Sequence, residues 1–138
     1  MSQLKLMALD SEDLQVISSC CQDAVLKIGD MEYLPAEKRF MLSLNRFAWE
    51  KKGEKERRKA VLHFDRVNAV KIQGIQRSEK EMVISMLAIL FHPGEEPGGT
   101  IELVFAGDGA IRLEVECIEA QLSDMPAAWE AQSRPSHE

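Results

Sequence analysis

The stretch TIELVFAGDGAIRLEVEC, residues 100–117, constrains the fold of this chain more than any other. Apolar residues alternate with other residues from 101 to 105 and again from 111 to 117, and Asp108-Gly109 lies between the two runs. Asp-Gly is a strong signal for a tight hairpin turn. Successive side chains of a strand point to opposite faces, so the pattern predicts an antiparallel hairpin with one buried face and one acidic, solvated face.

The rest of the chain predicts further strands with a helix before them and a helix after them. An N-terminal edge strand at 4–9 is followed by a helix over 11–23, because Asp10 and Ser11 offer N-cap oxygens and apolar residues then recur at helical spacing. The run MVISMLAILF at 82–91 is apolar on both faces and fits a central strand or a buried helix; its neighbours favour a strand. The other expected strands lie at 25–33, with a bend at Gly29-Asp30, and around 40–44, 62–64 and 70–72, and Ile118, Leu122, Met125 and Trp129 fit one face of a C-terminal helix.

These elements predict an α+β domain built on an antiparallel sheet, or on a partly open barrel, of about seven strands. The strand count and the final helix make the pleckstrin-homology barrel an analogy of element order, with no motif behind it. At 138 residues the chain has the size of one domain, which we expect to span 1–129, with a flexible C-terminal tail at 130–138.

Composition favours an ordinary globular protein, with 45% apolar and 29% charged residues. We see neither an apolar run long enough for a membrane span nor the pattern of a signal peptide, and we expect a cytoplasmic location. The three cysteines, Cys20, Cys21 and Cys117, fit no metal or redox spacing, and we expect packed, reduced thiols. No cofactor is expected.

Charge is distributed unevenly along the chain. Residues 37–80 hold 13 Lys or Arg against 6 Asp or Glu, whereas residues 94–124 hold one Arg against eight acids. The two segments either create a field that steers a charged partner or pair with each other across neighbouring strands.

The basic stretch EKKGEKERRK, at 50–59, is the clearest candidate for binding a partner or an anion. Clustered cations beside aromatic residues suit phosphate and base contacts, although three Glu dilute the run and a solvated loop is the simpler interpretation. The candidate residues are Arg46, Trp49, Lys51, Lys52, Lys55, Arg57, Arg58 and Lys59.

His63 and Asp65 are two residues apart on an expected strand and therefore share a face. Such a pair supplies two ligands for a divalent metal, or an acid–base pair, if a third group joins it. For an enzyme, Glu114 or Glu116 on an adjacent strand would be that group. An exposed sheet face also produces this pattern by chance, and no metal site is assigned.

Three segments resemble an uncharacterised alphaproteobacterial family, domain of unknown function 2948. They are LNRFAWE at 44–50, FAGDGAIRLEVECIEAQLSDM at 105–125 and the closing W…SRPSH at 129–137. The resemblance runs nearly the whole length of the chain. It implies no activity, ligand or catalytic residue.

We interpret the chain as a non-enzymatic binding or adaptor domain for a protein partner or a small ligand. One alternative is a metal-dependent or acid–base enzyme that uses His63 and Asp65. A second is a nucleic-acid-associated protein that uses the basic loop 51–59, although nucleic acid is not the expected partner. A homodimer is a further possibility, because apolar residues on both faces of 82–91 leave surface to cover.

Overall fold

The computed structural model describes residues 4–49 and 55–125, and of residues 48, 49, 55 and 56 it describes the backbone. One α-helix, α1 (Ser11–Cys21), lies among ten strands in this part of the chain. The strands are β1 (Lys5–Ala8), β2 (Val25–Lys27), β3 (Met31–Leu34), β4 (Arg39–Trp49), β5 (Lys55–Phe64), β6 (Val67–Gln73), β7 (Val83–Pro93), β8 (Gly99–Phe105), β9 (Ala110–Val115) and β10 (Ala120–Asp124).

The strands form one antiparallel sheet in the order β1-β10-β5-β4-β2-β7-β8-β9-β6, and β3 pairs with β4 beside β2. Only Asp65 and Arg66 separate β5, near one end of this order, from β6 at the other end. The sheet must therefore curve strongly, and its concave face encloses the core. That core includes Phe64, Phe105 and Leu113, which are almost fully buried.

The predicted antiparallel sheet with a helix near its N-terminus is confirmed, so the α+β prediction holds in part, but the strand count and the C-terminal helix are wrong. The described residues form ten strands instead of seven, and Ala120–Asp124 is strand β10, paired with β5 and β1. The helix prediction failed because Ile118 and Leu122 are four residues apart, and residues at that spacing share a face in a strand as well as in a helix. Residues 126–138, with Trp129, the predicted domain boundary and the predicted tail, lie outside the described residues.

The hairpin predicted at 100–117 is present as β8 and β9, but its turn differs from the expectation. The residues with positive φ are Gly107 (83°) and Asp108 (70°), not Asp108 and Gly109. Gly109 is instead needed for close packing, since a Cβ there would lie 2.9 Å from Cγ1 of Ile75. The turn of the β8–β9 hairpin therefore packs against the segment that follows β6.

Helix α1 begins at Ser11, as predicted, but ends at Cys21, two residues before the predicted end. The Asp10 carboxylate accepts a hydrogen bond from the Asp13 amide (2.8 Å), and Asp23 takes a left-handed conformation (φ 67°) just beyond the helix. The Ser18 hydroxyl accepts a hydrogen bond from the Ile89 amide at 2.8 Å. The helix therefore covers part of the edge that β7 exposes beyond its pairing with β2. No helix within 4–49 and 55–125 has the length and apolar character to cross a membrane.

The ambiguous run at 82–91 is a strand, β7, as predicted. Met86 and Ile89 are buried in the core. Leu87 and Leu90 are 44% and 43% exposed, so β7 leaves apolar surface uncovered on its outer side. The β7 register against β8 shifts between Met86 and Ala88, which places a bulge at Leu87.

Candidate functional site

The basic stretch, expected as a solvated loop, is largely strand where it is described. Lys55–Phe64 forms β5 and pairs with β4 over ten residues, from Phe40↔Phe64 to Trp49↔Lys55. Residues 50–54, which include Lys51 and Lys52, lie outside the described residues. The expectation was wrong for 55–59 because charged residues occupy both faces there, so the sequence lacks the apolar alternation that marks a strand.

Strand alternation sends the three consecutive cations of β5 to opposite faces. Arg58 lies on the same face as the buried residues Ala60 and Leu62, and its charge acts on Asp124. Arg57 and Lys59 lie on the other face. The guanidinium carbon of Arg57 lies 5.3 Å from the ring centroid of Phe47, its cross-strand neighbour, in a cation–π contact that positions it.

Arg46, a predicted anion-binding residue, is instead engaged in a buried ion pair. Its Nε and Nη2 donate to the two carboxylate oxygens of Asp124 at 2.8 and 2.7 Å, and the Leu4 amide donates to the same carboxylate (2.9 Å). The hydrogen bonds that Arg46 donates to Asp124 raise the pKa of Arg46. Burial acts to raise the pKa of Asp124, but its hydrogen bonds outweigh burial and the pKa is lowered. The pair ties β4, β10 and the N-terminal strand together.

Arg57 and Lys59 line a groove of about 670 Å³ that opens between β2 and β4. On this side β4 pairs with β3 as far as Leu42 and with β2 at Asn45, so the strands separate around Ser43 and Leu44. We call it the basic groove; its charged lining consists of Lys27, Arg57, Lys59 and Lys80 with Asp30 and Glu81. Lys27 and Glu81 form an ion pair at 2.9 Å, and among the described residues four cations and two carboxylates line the groove.

Lys80 reaches the basic groove from the wall opposite β5. The Gly29 amide donates to the Lys80 carbonyl at 2.9 Å, and a Cβ on Gly29 would lie 2.9 Å from the Lys80 Cβ. Glycine at position 29 therefore lets the two backbones approach closely enough to hold Lys80 at the groove. Sequence reasoning missed Lys80, because nothing in the pattern links it to residues more than twenty positions away.

The uneven charge along the chain is partly neutralised within the fold. Ion pairs join the basic segment to the acidic one at Lys38–Glu116 (2.6 Å), Arg66–Glu119 (3.3 Å), Lys71–Glu114 (3.2 Å) and Arg46–Asp124 (2.7 Å). The two segments therefore pair with each other at these positions, which is one of the two alternatives that the sequence left open. None of these four pairs includes a residue that lines the basic groove.

His63 lies near the end of β5, and Asp65 follows directly after the strand, at the turn into β6. The distance between His63 Nδ1 and Asp65 Oδ2 is 3.4 Å, and that nitrogen is buried without a hydrogen-bond partner. Asp65 accepts a hydrogen bond from Arg39 Nε at 2.7 Å. Burial lowers the pKa of His63 against the opposing charge of Asp65, so the imidazole is neutral at neutral pH. A neutral imidazole in this position is able to accept a proton.

The acids suggested as partners of His63 lie elsewhere. Glu114 pairs with Lys71 and Glu116 with Lys38, while the strand neighbours of His63 are Met41 and Gln121. Within residues 4–49 and 55–125, no three His, Cys, Asp or Glu side chains are grouped as a metal site requires. The structure therefore brings His63 together with Asp65 and Arg39 but not with the third groups considered.

The three cysteines are free thiols. Cys21 is fully buried on the inner face of α1, and burial raises its pKa to about 12. Cys20 and Cys117 are partly buried. A buried thiol with a raised pKa is a core residue and a poor nucleophile.

A model of a family of proteins of unknown function, DUF2948, matches residues 4–137. The chain belongs to the DUF2948 family. No curated protein and no solved structure matches this DUF2948 chain. The match confirms the predicted resemblance to the family and attaches no activity to any residue of this DUF2948 protein.

Proposed function

We propose that this protein is a non-catalytic binding module that holds an anionic partner in the basic groove. The observation that carries the proposal is the convergence of Arg57 and Lys59 from β5 with Lys80 from the opposite wall on one groove of about 670 Å³. Cations on two walls favour an anionic group between them, because each wall attracts it and neither has to move.

The test is binding of a fluorescein-labelled peptide of six glutamates, measured by fluorescence anisotropy at low and at high salt. The Arg57→Ala/Lys80→Ala variant removes one cation from each wall, and we expect its affinity to fall about fivefold, since each exposed charge contact contributes about 0.2–1 kcal/mol. Lys71→Ala, which removes an exposed cation from β6, is the matched control. Equal affinities for all three proteins would overturn the proposal.

Single-stranded nucleic acid is the competing anionic partner. One face of the Phe47 ring is covered by Arg57, which leaves less of the ring for base stacking. A labelled oligonucleotide measured beside the peptide separates the two, and tighter binding of the oligonucleotide would favour the nucleic-acid alternative.

We propose separately that the outer face of β7 and its neighbours forms a homodimer interface. Leu87 and Leu90 are exposed there, and Glu102 and Arg112 beside them carry opposite charges. A two-fold interface places the same surface on both subunits, so a patch with an apolar centre and both signs of charge is complementary to its own copy. Sedimentation velocity is expected to show a dimer that Leu90→Glu dissociates; a monomeric wild-type protein would refute this.

A further inference from the structure

A smaller recess of about 270 Å³ adjoins the basic groove. Gly29, Asp30 and Ser43 line both, so the two lie side by side along β4, and we call them together the channel. The recess also includes Glu32, which pairs with Met41 in the register of β3 and β4. We call this end the acidic recess, defined by Asp30 and Glu32.

Opposite charges therefore lie at opposite ends of the channel. Glu32 is beside Met41 at one end of the β4 segment, and Arg57 is beside Phe47 at the other. Phe47 is six residue steps along the strand from Met41, which is about 20 Å at roughly 3.4 Å per residue. Lys59, beside Asn45, lies between them and nearer the basic end.

We propose that this channel holds an extended polypeptide segment of another protein, with acidic residues in the basic groove and basic residues in the acidic recess. The inference rests on the proposed function and adds the class of the partner and its charge order. A channel of about 20 Å fits about six extended residues, since an extended chain advances by roughly 3.4 Å per residue.

The middle of the channel suits a polypeptide better than a small anion. Ser43 lies where the pairing of β4 is interrupted, since β3 pairs with it as far as Leu42 and β2 pairs with it at Asn45. An extended segment is able to pair with a strand edge at such an interruption, in the manner of an added strand. A small phosphate would use only the basic end, because Asp30 and Glu32 repel it from the rest of the channel.

The experiment uses three labelled peptides of one composition and the full-length protein. Two peptides carry acidic residues at one end, a Val-Thr-Val centre and lysines at the other, in opposite chain directions; the third alternates the same charges. We expect one of the segregated peptides to bind about tenfold more tightly than the alternating peptide, a difference of about 1.4 kcal/mol. Asp30→Asn/Glu32→Gln should abolish that difference, whereas the control Glu12→Gln/Glu95→Gln, which removes two exposed acids outside the channel, should retain it.

The outcomes separate the two proposals. If all peptides bind equally and inorganic tripolyphosphate displaces them completely, the groove binds anions but the polypeptide inference is overturned. If the Asp30→Asn/Glu32→Gln variant keeps the preference for the segregated peptide, the assigned role of the acidic recess is wrong. If none of the three peptides binds and the six-glutamate peptide does not bind either, the polypeptide inference and the proposed function are both wrong.

Discussion

Replacing Asp124 with Asn removes the negative charge from the buried ion pair and keeps its shape. The Arg46 and Asp124 side chains are 10% and 1% exposed, and the carboxylate accepts two hydrogen bonds from the guanidinium and one from the Leu4 amide. The amide oxygen of Asn is able to retain the Leu4 contact. It cannot satisfy the charge of Arg46, which remains in the interior without a counter-ion.

The expected cost is about 3–5 kcal/mol, the range for breaking a buried ion pair by removing one partner. Domains of this size have a total stability of about 5–15 kcal/mol, so Asp124→Asn should remove a large part of it. With a urea slope of about 2 kcal/mol per molar, the unfolding midpoint should fall by about 2 M. Urea titration followed by far-ultraviolet circular dichroism measures the shift.

A double-mutant cycle identifies the ion pair as the source of that loss. Arg46→Met in the Asp124→Asn background removes the unpaired charge, so the double variant should be more stable than Asp124→Asn alone, with a coupling of about 2 kcal/mol or more. The exposed pair Lys71–Glu114, at 3.2 Å, is the matched control and should cost less than about 1 kcal/mol when Glu114 becomes Gln. A loss below about 1 kcal/mol for Asp124→Asn, or additive effects in the cycle, would refute the reasoning.

Three further predictions concern single side chains. The pKa of His63 is lowered in the folded protein, so the unfolded chain takes up the proton first and stability should fall as pH drops below about 6.5. The His63→Gln variant should therefore lose less stability than the wild type between about pH 7 and 5. Urea midpoints that change in parallel for the two proteins would contradict this. Ser18→Ala removes the hydrogen-bond acceptor of the Ile89 amide and should cost about 1–2 kcal/mol in urea unfolding, unlike Ser19→Ala at an exposed site. Burial raises the pKa of Cys21 to about 12, so its thiol should resist iodoacetamide in the folded protein and react in urea. Peptide mass spectrometry measures the modification, and modification in the folded state would contradict the expectation by showing that the site opens.

Sequence patterns predicted the elements in which one face is apolar and the other polar. The hairpin at 100–117 and helix α1 carry that signal, and both are present, whereas β7 is apolar on both faces and was predicted as a strand from its neighbours. The pattern failed at β10, where a spacing of four suits both periods, and at the basic half of β5, where neither face is apolar. The basic half of β5 is stabilised instead by its pairing with β4 and by the Arg46–Asp124 ion pair between β4 and β10, its neighbouring strands.

The candidate site was predictable only in part, for a different reason. Arg57 and Lys59 stand out in the sequence as members of a basic run, and the structure places both at the basic groove. Lys80 and Asp30 reach the same channel through the close approach of Gly29 to Lys80, which depends on three-dimensional packing. A single sequence contains no signal for that approach.

The register of β5 connects the stability of the protein to the proposed site. The Met125 amide donates to the Lys59 carbonyl at 2.8 Å, directly beyond Asp124, which pairs with Ala60. Loss of the Asp124 charge should therefore loosen β5 beside Lys59 and weaken peptide binding together with stability. Ser18→Ala acts at β7, away from β5, and should reduce stability while peptide affinity is retained under conditions where the protein is folded. If the two variants weakened binding equally at equal stability, the groove would be responding to global unfolding, and the link through β5 would be wrong.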